Sequence, residues 1–413
     1  MEYSNHMPTS SEIYPISVLL LSFLLAGWLL SRHCPLADDD HGRDTQLDGL
    51  RALLAFGVMV YHFFGIRMIV VGETPFKNLS EITRLLGSFT VCTFFSITAY
   101  LFSQRLLRSE SHQGRLILKF LLGRCFRLIP TAMLAAILFL LANMRVYTET
   151  QRVSLLVQNW KSLLNVAFSS ISHPATGPDS QLLEPWAWGI ACGPHWTLHY
   201  EWIFYLTLAS ISLLALKRQA FLIPLSLIFL LTFVIQGTNY FFVRWEHMTW
   251  AFVPGMILGL TKSYWKDSRY LSHPLCSVVA LIAVLASAYY RIPVIKVLVT
   301  TLFLACILCN NPATKFLQSK LLRSLGETTY SVYLLHGLVQ YATFKWFLPI
   351  SVASSIPPWM WWMTCGVQVV VIVFLARLSF EFVEKPGIAL GKRFYLWLMN
   401  AITRRVPWML NWI

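Results

Sequence analysis

Arg51 and His62 stand eleven residues apart within one apolar run. A helix turns three times plus about 20° over that spacing, so both side chains share a face, ~16 Å apart along the axis. Asp48, Ala55 and Val58 complete the stripe, and its middle is small to medium in size. An imidazole that titrates near neutrality suits general-base removal of a proton, and a guanidinium suits an anion. An extended ligand could therefore lie along the stripe, anionic end at Arg51 and reactive end near His62. The plainer alternative is that Arg51 snorkels to an interface and His62 bonds a neighbouring helix.

Three further groupings carry chemistry. In Trp196-Thr197-Leu198-His199-Tyr200-Glu201-Trp202-Ile203-Phe204-Tyr205, the residues Thr197, Glu201 and Tyr205 recur every four positions. A carboxylate so placed needs a partner, either a histidine base that it orients and charge-stabilises or an Arg of another helix. In Gly326 to His336, the residues Thr329, Tyr333, His336 and Gln340 form a polar stripe that faces protein or a wet cavity. His336 then lines the same site or makes a packing hydrogen bond. Arg124 and Arg127 lie about one turn apart and fit a phosphate clamp, although a cytoplasmic charge bias alone would also place them there. His195 and His199 have the spacing of metal ligands, but His199 points nearly opposite to Glu201. No metal site is expected.

The elements that must position these residues are membrane helices. The chain is 56% hydrophobic and 13% charged, with a mean hydropathy of +0.58, and soluble domains carry roughly twice that charged fraction. Runs of about 17–25 apolar residues occur near 15–31, 48–68, 86–104, 128–144, 196–216, 220–236, 248–261, 273–290, 292–309, 329–348 and 358–380. The expected fold is all-α, a polytopic transmembrane bundle of about 10–11 spans. The net charge of +14 comes from 33 Lys and Arg placed in short loops between apolar runs. That placement matches positive-inside bias and attraction to anionic lipid, so the bilayer and not nucleic acid is the partner.

Residues 1–11 contain Glu2 and no Lys or Arg, so the first run lacks the basic flank of a signal peptide. It is expected to stay as a helix with its N-terminus outside. From there the clusters Arg105 to Arg127, Lys217/Arg218, Lys262/Lys266/Arg269, Lys315/Lys320/Arg323 and Lys385/Lys392/Arg393 fall inside. The longest outside segment, about 145–194, is expected to form an interfacial cap with Trp186 and Trp188 that helps bind the acceptor. After Pro386 the tail, with Trp408 and Trp412, reads as an amphipathic helix on the inner surface. Cys306 and Cys309 form a CxxC that lacks the second ligand pair of a zinc site and reads as core packing.

Taken in order, six segments resemble acyltransferase family 3, membrane proteins that modify envelope polysaccharides and related glycans. They are Leu47-Asp48-Gly49-Leu50-Arg51-Ala52 with His62, Phe94-Phe95-Ser96-Ile97-Thr98-Ala99-Tyr100-Leu101, and Arg124-Cys125-Phe126-Arg127-Leu128-Ile129-Pro130. Next come Trp196-Thr197-Leu198 with Glu201 and Phe204-Tyr205, then Leu325-Gly326 with Tyr330-Ser331 and Tyr333-Leu334-Leu335-His336, and finally Phe382-Val383-Glu384-Lys385-Pro386. The family domain is expected over 44–386, behind an additional N-terminal span and inner loop (1–43) and ahead of a cytoplasmic amphipathic tail (387–413).

The resemblance implies an O-acyltransferase, most simply an O-acetyltransferase, of the cytoplasmic (inner) membrane. It would move the acyl group of cytoplasmic acyl-coenzyme A to a hydroxyl of a polysaccharide, lipopolysaccharide or related glycan. Acyl-coenzyme A is a co-substrate here, and no tightly bound cofactor is expected. The family's Arg and His pair falls on Arg51 and His62, and its Trp-Ser-Leu-x-x-Glu element falls on Trp196 to Glu201. His62, Glu201 and Arg51 are the expected catalytic group, with Arg51, Arg124 and Arg127 on the donor and Trp196, Tyr205, Tyr333 and His336 on the acceptor. Thr98-Ala99-Tyr100 stands where the family shows Ser-Gly-Tyr. The sequence ends without the hydrolase-like domain of some relatives, so a partner protein that completes the transfer is an added expectation. A secondary transporter would also carry intramembrane charges, but should show inverted repeats and broken helices in corresponding halves, which the sequence does not display, and a flippase would show substrate-dependent transport with no loss of thioester.

Overall fold

A chain crossing lipid must satisfy its backbone polar groups internally, and the described residues are accordingly helical, with no strand among them. The computed structural model describes residues 10–34, 44–73, 76, 78–108, 113–144, 196–214, 250–289 and 293–405. Its α-helices are α1 (Ser10–His33), α2 (Thr45–Val70), α3 (Glu81–Arg108), α4 (Gln113–Met144), α5 (Trp196–Leu214), α6 (Phe252–Leu260) and α7 (Lys262–Trp265). They continue as α8 (Pro274–Ala286), α9 (Pro293–Leu308), α10 (Lys320–Glu327), α11 (Thr329–Ala342), α12 (Ile350–Ala353), α13 (Pro358–Ser379) and α14 (Lys385–Arg405). A 3-10 segment covers Pro312–Gln318, and π segments cover Thr343–Phe347 and Phe380–Glu384.

Ten of the eleven apolar runs coincide with these helices, and the run near 220–236 lies outside the described residues. Among the described residues five helices are long and apolar enough to cross a membrane, or six if one bent pair is a single span. The outward faces are apolar, as at Leu21, Leu25, Val279, Ile282, Val367 and Phe374, which suits contact with hydrocarbon rather than water.

The described chain forms two compact units. The first draws on Met1–Ile97 and Thr261–Arg377. Small residues let its helices approach closely, as membrane helices require. A Cβ on Gly57 would press on Thr90 of α3, and one on Gly87 would press on Tyr61 of α2. Helix α1 is an integral part of this unit. Its Phe23 packs on Phe56 of α2 with ring centroids 5.2 Å apart, its Gly27 faces Leu325 of α10, and its Val18 and Ser22 receive Gly366 of α13. The two sulfurs of the CxxC have separate partners. Cys306 Sγ meets Cys276 Sγ at 3.5 Å, and Cys309 Sγ meets the Trp265 carbonyl at 3.4 Å.

The sequence displays no broken helix, whereas the structure bends one apolar segment sharply. Helix α9 and the 3-10 segment meet at 78°. Asn310 takes a left-handed φ of 54°, a conformation Asn tolerates better than most residues. Asn311 then caps the 3-10 segment by accepting from the Ala313 amide at 3.1 Å. Its side-chain nitrogen donates to the carbonyls of Leu271 and His273 at 2.9 and 2.7 Å, and Pro312 opens the new segment.

The second unit draws on the described residues among 98–144, 196–214, 250–260 and 378–405. The fourth run was expected to begin near 128, behind a basic loop, but α4 starts at Gln113 and carries Arg115, Lys119, Arg124 and Arg127 on a continuous helix. Pro130 lies inside α4 and has no N–H to give the carbonyl four residues back, which is that of Phe126. Gly387 of α14 packs on that same Phe126 carbonyl oxygen, so the close approach of α14 falls where Pro130 has released an acceptor. Phe394 of α14 follows at 5.4 Å from the Phe126 ring. The tail is thus helical and seated on α4, while Trp408 and Trp412 lie outside the described residues.

Candidate active site

In the first unit the stripe of α2 is turned inward: Asp48, Ala55 and Val58 are buried and Arg51 and His62 are partly so. The Asp48–Arg51 end of this stripe is fixed by backbone contacts rather than side chains. A Cβ on Gly49 would run into the Leu317 carbonyl oxygen, and one on Gly326 into the Asp48 carbonyl oxygen. Only glycine allows backbone to meet backbone this closely. The bend at Asn310–Asn311 delivers the 3-10 segment and α10 to that place, so it positions Arg51, whose guanidinium lies 3.9 Å from the Asp48 carboxylate. A buried ion pair anchors α10 from its other end, with Arg377 Nη1 of α13 donating to Glu327 at 3.1 Å.

At the other end of the stripe the His62 ring faces His336 of α11, with centroids 5.0 Å apart at 65°. Tyr61 and Phe76 stand edge-on to His62 at 5.5 and 5.8 Å. Gly65 leaves room for the Phe76 ring. His336 is fully buried, and its Nδ1 lies 3.2 Å from the Val332 carbonyl. A carbonyl only accepts, so this bond places a proton on Nδ1, and in the neutral ring Nε2 is then an acceptor. Nε2 is buried and has no hydrogen-bond partner among the described residues. Tyr333 lies 6.0 Å from His336 and 6.4 Å from Phe94 of α3, ring to ring. The polar stripe of α11 is buried throughout, at Thr329, Tyr333, His336 and Gln340.

In the second unit Glu201 and Tyr205 share one face of α5, and the Tyr205 hydroxyl donates to the Glu201 carboxylate at 2.9 Å. Tyr205 is fully buried and packs on Phe120 of α4 at 5.1 Å. The Arg124 guanidinium lies 5.2 Å from both the Phe120 and the Tyr205 ring centroids, a cation–π arrangement. Arg127 instead donates from Nε to Glu384 at 2.7 Å. The sequence reading paired Arg124 with Arg127 as equivalents, whereas the structure gives them different neighbours. The signal available in the sequence was Glu384 itself, a carboxylate between apolar Phe382-Val383 and Lys385-Pro386. Trp196 opens α5, and its side chain is not among those described. His195 and the expected cap over 145–194 lie outside the described residues.

The first unit thus turns Arg51 and His62 of one helix inward and sets the ring of His336 against that of His62. The acyltransferase-domain profile of acyltransferase family 3 matches residues 44–378. The chain belongs to this family of membrane acyltransferases. No curated protein and no solved structure matches it. Membership removes the transporter and flippase readings that intramembrane charges alone left open.

Proposed function

We propose that the protein is a multi-pass O-acyltransferase of the cytoplasmic membrane. It takes an acyl group, most simply acetyl, from cytoplasmic acyl-coenzyme A and places it on a hydroxyl of an envelope glycan. The observation that carries the reading is the His62–His336 pair, centroids 5.0 Å apart, in which His336 presents an acceptor nitrogen.

The chemistry follows from these groups. His62 removes the proton of the acceptor hydroxyl as its oxygen attacks the thioester carbonyl. The C–O bond forms and the C–S bond breaks, and the thiolate of coenzyme A takes the proton back from the imidazolium. The products are an ester and free coenzyme A. His336 Nε2 orients the acceptor by accepting a hydrogen bond, with Tyr333 beside it. Arg51 sits about a pantetheine-length away along α2, where an anionic part of the donor would lie. In this reading Arg124 and Arg127 serve the donor phosphates, Glu201 supports the charge of the reacting histidine, and Trp196 and Tyr205 serve the acceptor. A partner protein that completes the transfer belongs to the same reading.

The test is whether purified protein releases coenzyme A from acetyl-coenzyme A when a glycan acceptor is added. Transport of the glycan without thioester loss would overturn the assignment.

A further inference from the structure

Gln340 is fully buried, and neither its amide oxygen nor its amide nitrogen has a hydrogen-bond partner among the described residues. An unpaired carboxamide inside protein is expensive, and a residue needed only to fill space there would be apolar. Gln340 lies one turn beyond His336 on α11, ~6 Å further along the axis and about 40° round. On the same stripe His336 Nε2 and Thr329 Oγ1 are also buried without a hydrogen-bond partner among the described residues, and the ring of His62 stands against that of His336. Donors and acceptors in a row beside the imidazoles are complementary to a ligand that brings its own. A hydroxyl both donates and accepts, as an amide does, so a single hydroxyl can engage both atoms of Gln340.

We propose that Gln340 reads a second hydroxyl of the acceptor, one neighbouring the hydroxyl held at His336, so that the enzyme selects polyols over alcohols with a single hydroxyl. This rests on the reading of His62 and His336 as the acyl-transfer site. Leucine at 340 keeps the volume and loses both bonds. Asparagine keeps the chemistry and shortens the reach.

The experiment measures kcat/KM for coenzyme A release from acetyl-coenzyme A, using wild type, Gln340→Leu and Gln340→Asn. Acceptors are the methyl glycosides of glucose, galactose and mannose, their monodeoxy analogues, and cyclohexanol. For wild type, removal of one particular hydroxyl lowers kcat/KM about 10- to 100-fold. In Gln340→Leu the ratio of glycoside to cyclohexanol kcat/KM falls by the same factor, mainly through KM, and that deoxy analogue ceases to be distinguished. Gln340→Asn lies between. An unchanged ratio in Gln340→Leu, or an equal loss with every acceptor, overturns the inference while leaving acyl transfer intact. A wild-type enzyme that releases no coenzyme A with any glycoside overturns the acyl-transfer reading itself.

Discussion

Arg127 donates to Glu384 across 2.7 Å, and the Glu384 side chain is fully buried while that of Arg127 is 32% exposed. The pair joins α4 to the π segment Phe380–Glu384, in which the chain departs from α-helical geometry. One residue added to a helix turns everything after it by about 100°. The π segment thereby sets which face of α14 meets α4, and Gly387, Gly391 and Phe394 all fall on Phe126.

Arg124→Ala and Arg127→Ala should therefore behave differently. Arg127→Ala takes a cation from a buried carboxylate and should cost about 2 kcal/mol, the low end for such pairs because the arginine is partly exposed. Thermal melts in detergent should show that loss. Arg124→Ala should melt near wild type and raise the donor KM with kcat preserved, because phosphate contacts serve ground and transition state alike. A fall in kcat at unchanged donor KM would remove Arg124 from the donor site.

His62→Ala should lower kcat by about 10²- to 10⁴-fold, the usual loss of a general base, with the protein still inserted and folded. Arg51→Lys keeps the charge without the planar fork and should retain weak activity. Glu201→Gln should lower kcat and shift the pH optimum if its carboxylate supports the imidazolium. Near-normal turnover in folded His62→Ala would move the base to His336.

The placement of the candidate residues on α2 and α11 was legible in sequence, and the reason is periodicity. Arg51 and His62 share a face because α2 is a regular helix throughout, and the polar stripe of α11 stood out for the same reason. What the sequence withheld was tertiary pairing. Nothing local to Glu327 says that its partner is Arg377, or that Glu384 belongs to Arg127. Gly49 and Gly326 were visible only as parts of a resemblance. Their physical purpose, admitting the carbonyls of Leu317 and Asp48, depends on a bend that Asn310, Asn311 and Pro312 create and no hydropathy scan detects.

Replacing either of those glycines with alanine tests that purpose. Gly49→Ala and Gly326→Ala should each cost about 1–3 kcal/mol, because the added methyl meets backbone that has no rotamer to escape by. Both should also impair donor binding through Arg51. Gly123→Ala is the control: a Cβ there meets nothing within 4 Å, so helix propensity alone should stabilise by up to about 1 kcal/mol. Melting curves of the three variants check the contrast, and equal destabilisation by all three would refute it.

The alternation of basic loops predicts an outside N-terminus and an inside C-terminus. Reporter fusions after Ser10 and after Arg405 should give opposite signals. Matching signals would change the parity of the spans.

The bend at Asn310–Asn311 also bears on when the enzyme becomes competent during its own synthesis. Helix α2 leaves the ribosome early, yet the surface that seats its Gly49 and Asp48 comes from Leu317 and Gly326, far along the chain. Chains emerge N-terminus first, at roughly 5–20 residues per second, so for many seconds α2 sits in the bilayer with its backbone groove open. His336, Gln340 and Arg377 arrive later still. A nascent or truncated chain that already displays Arg51 and His62 therefore has neither the backbone seat at Gly49 nor His336 opposite His62, and under the proposed reading it stays inactive until the last quarter of the protein is being made.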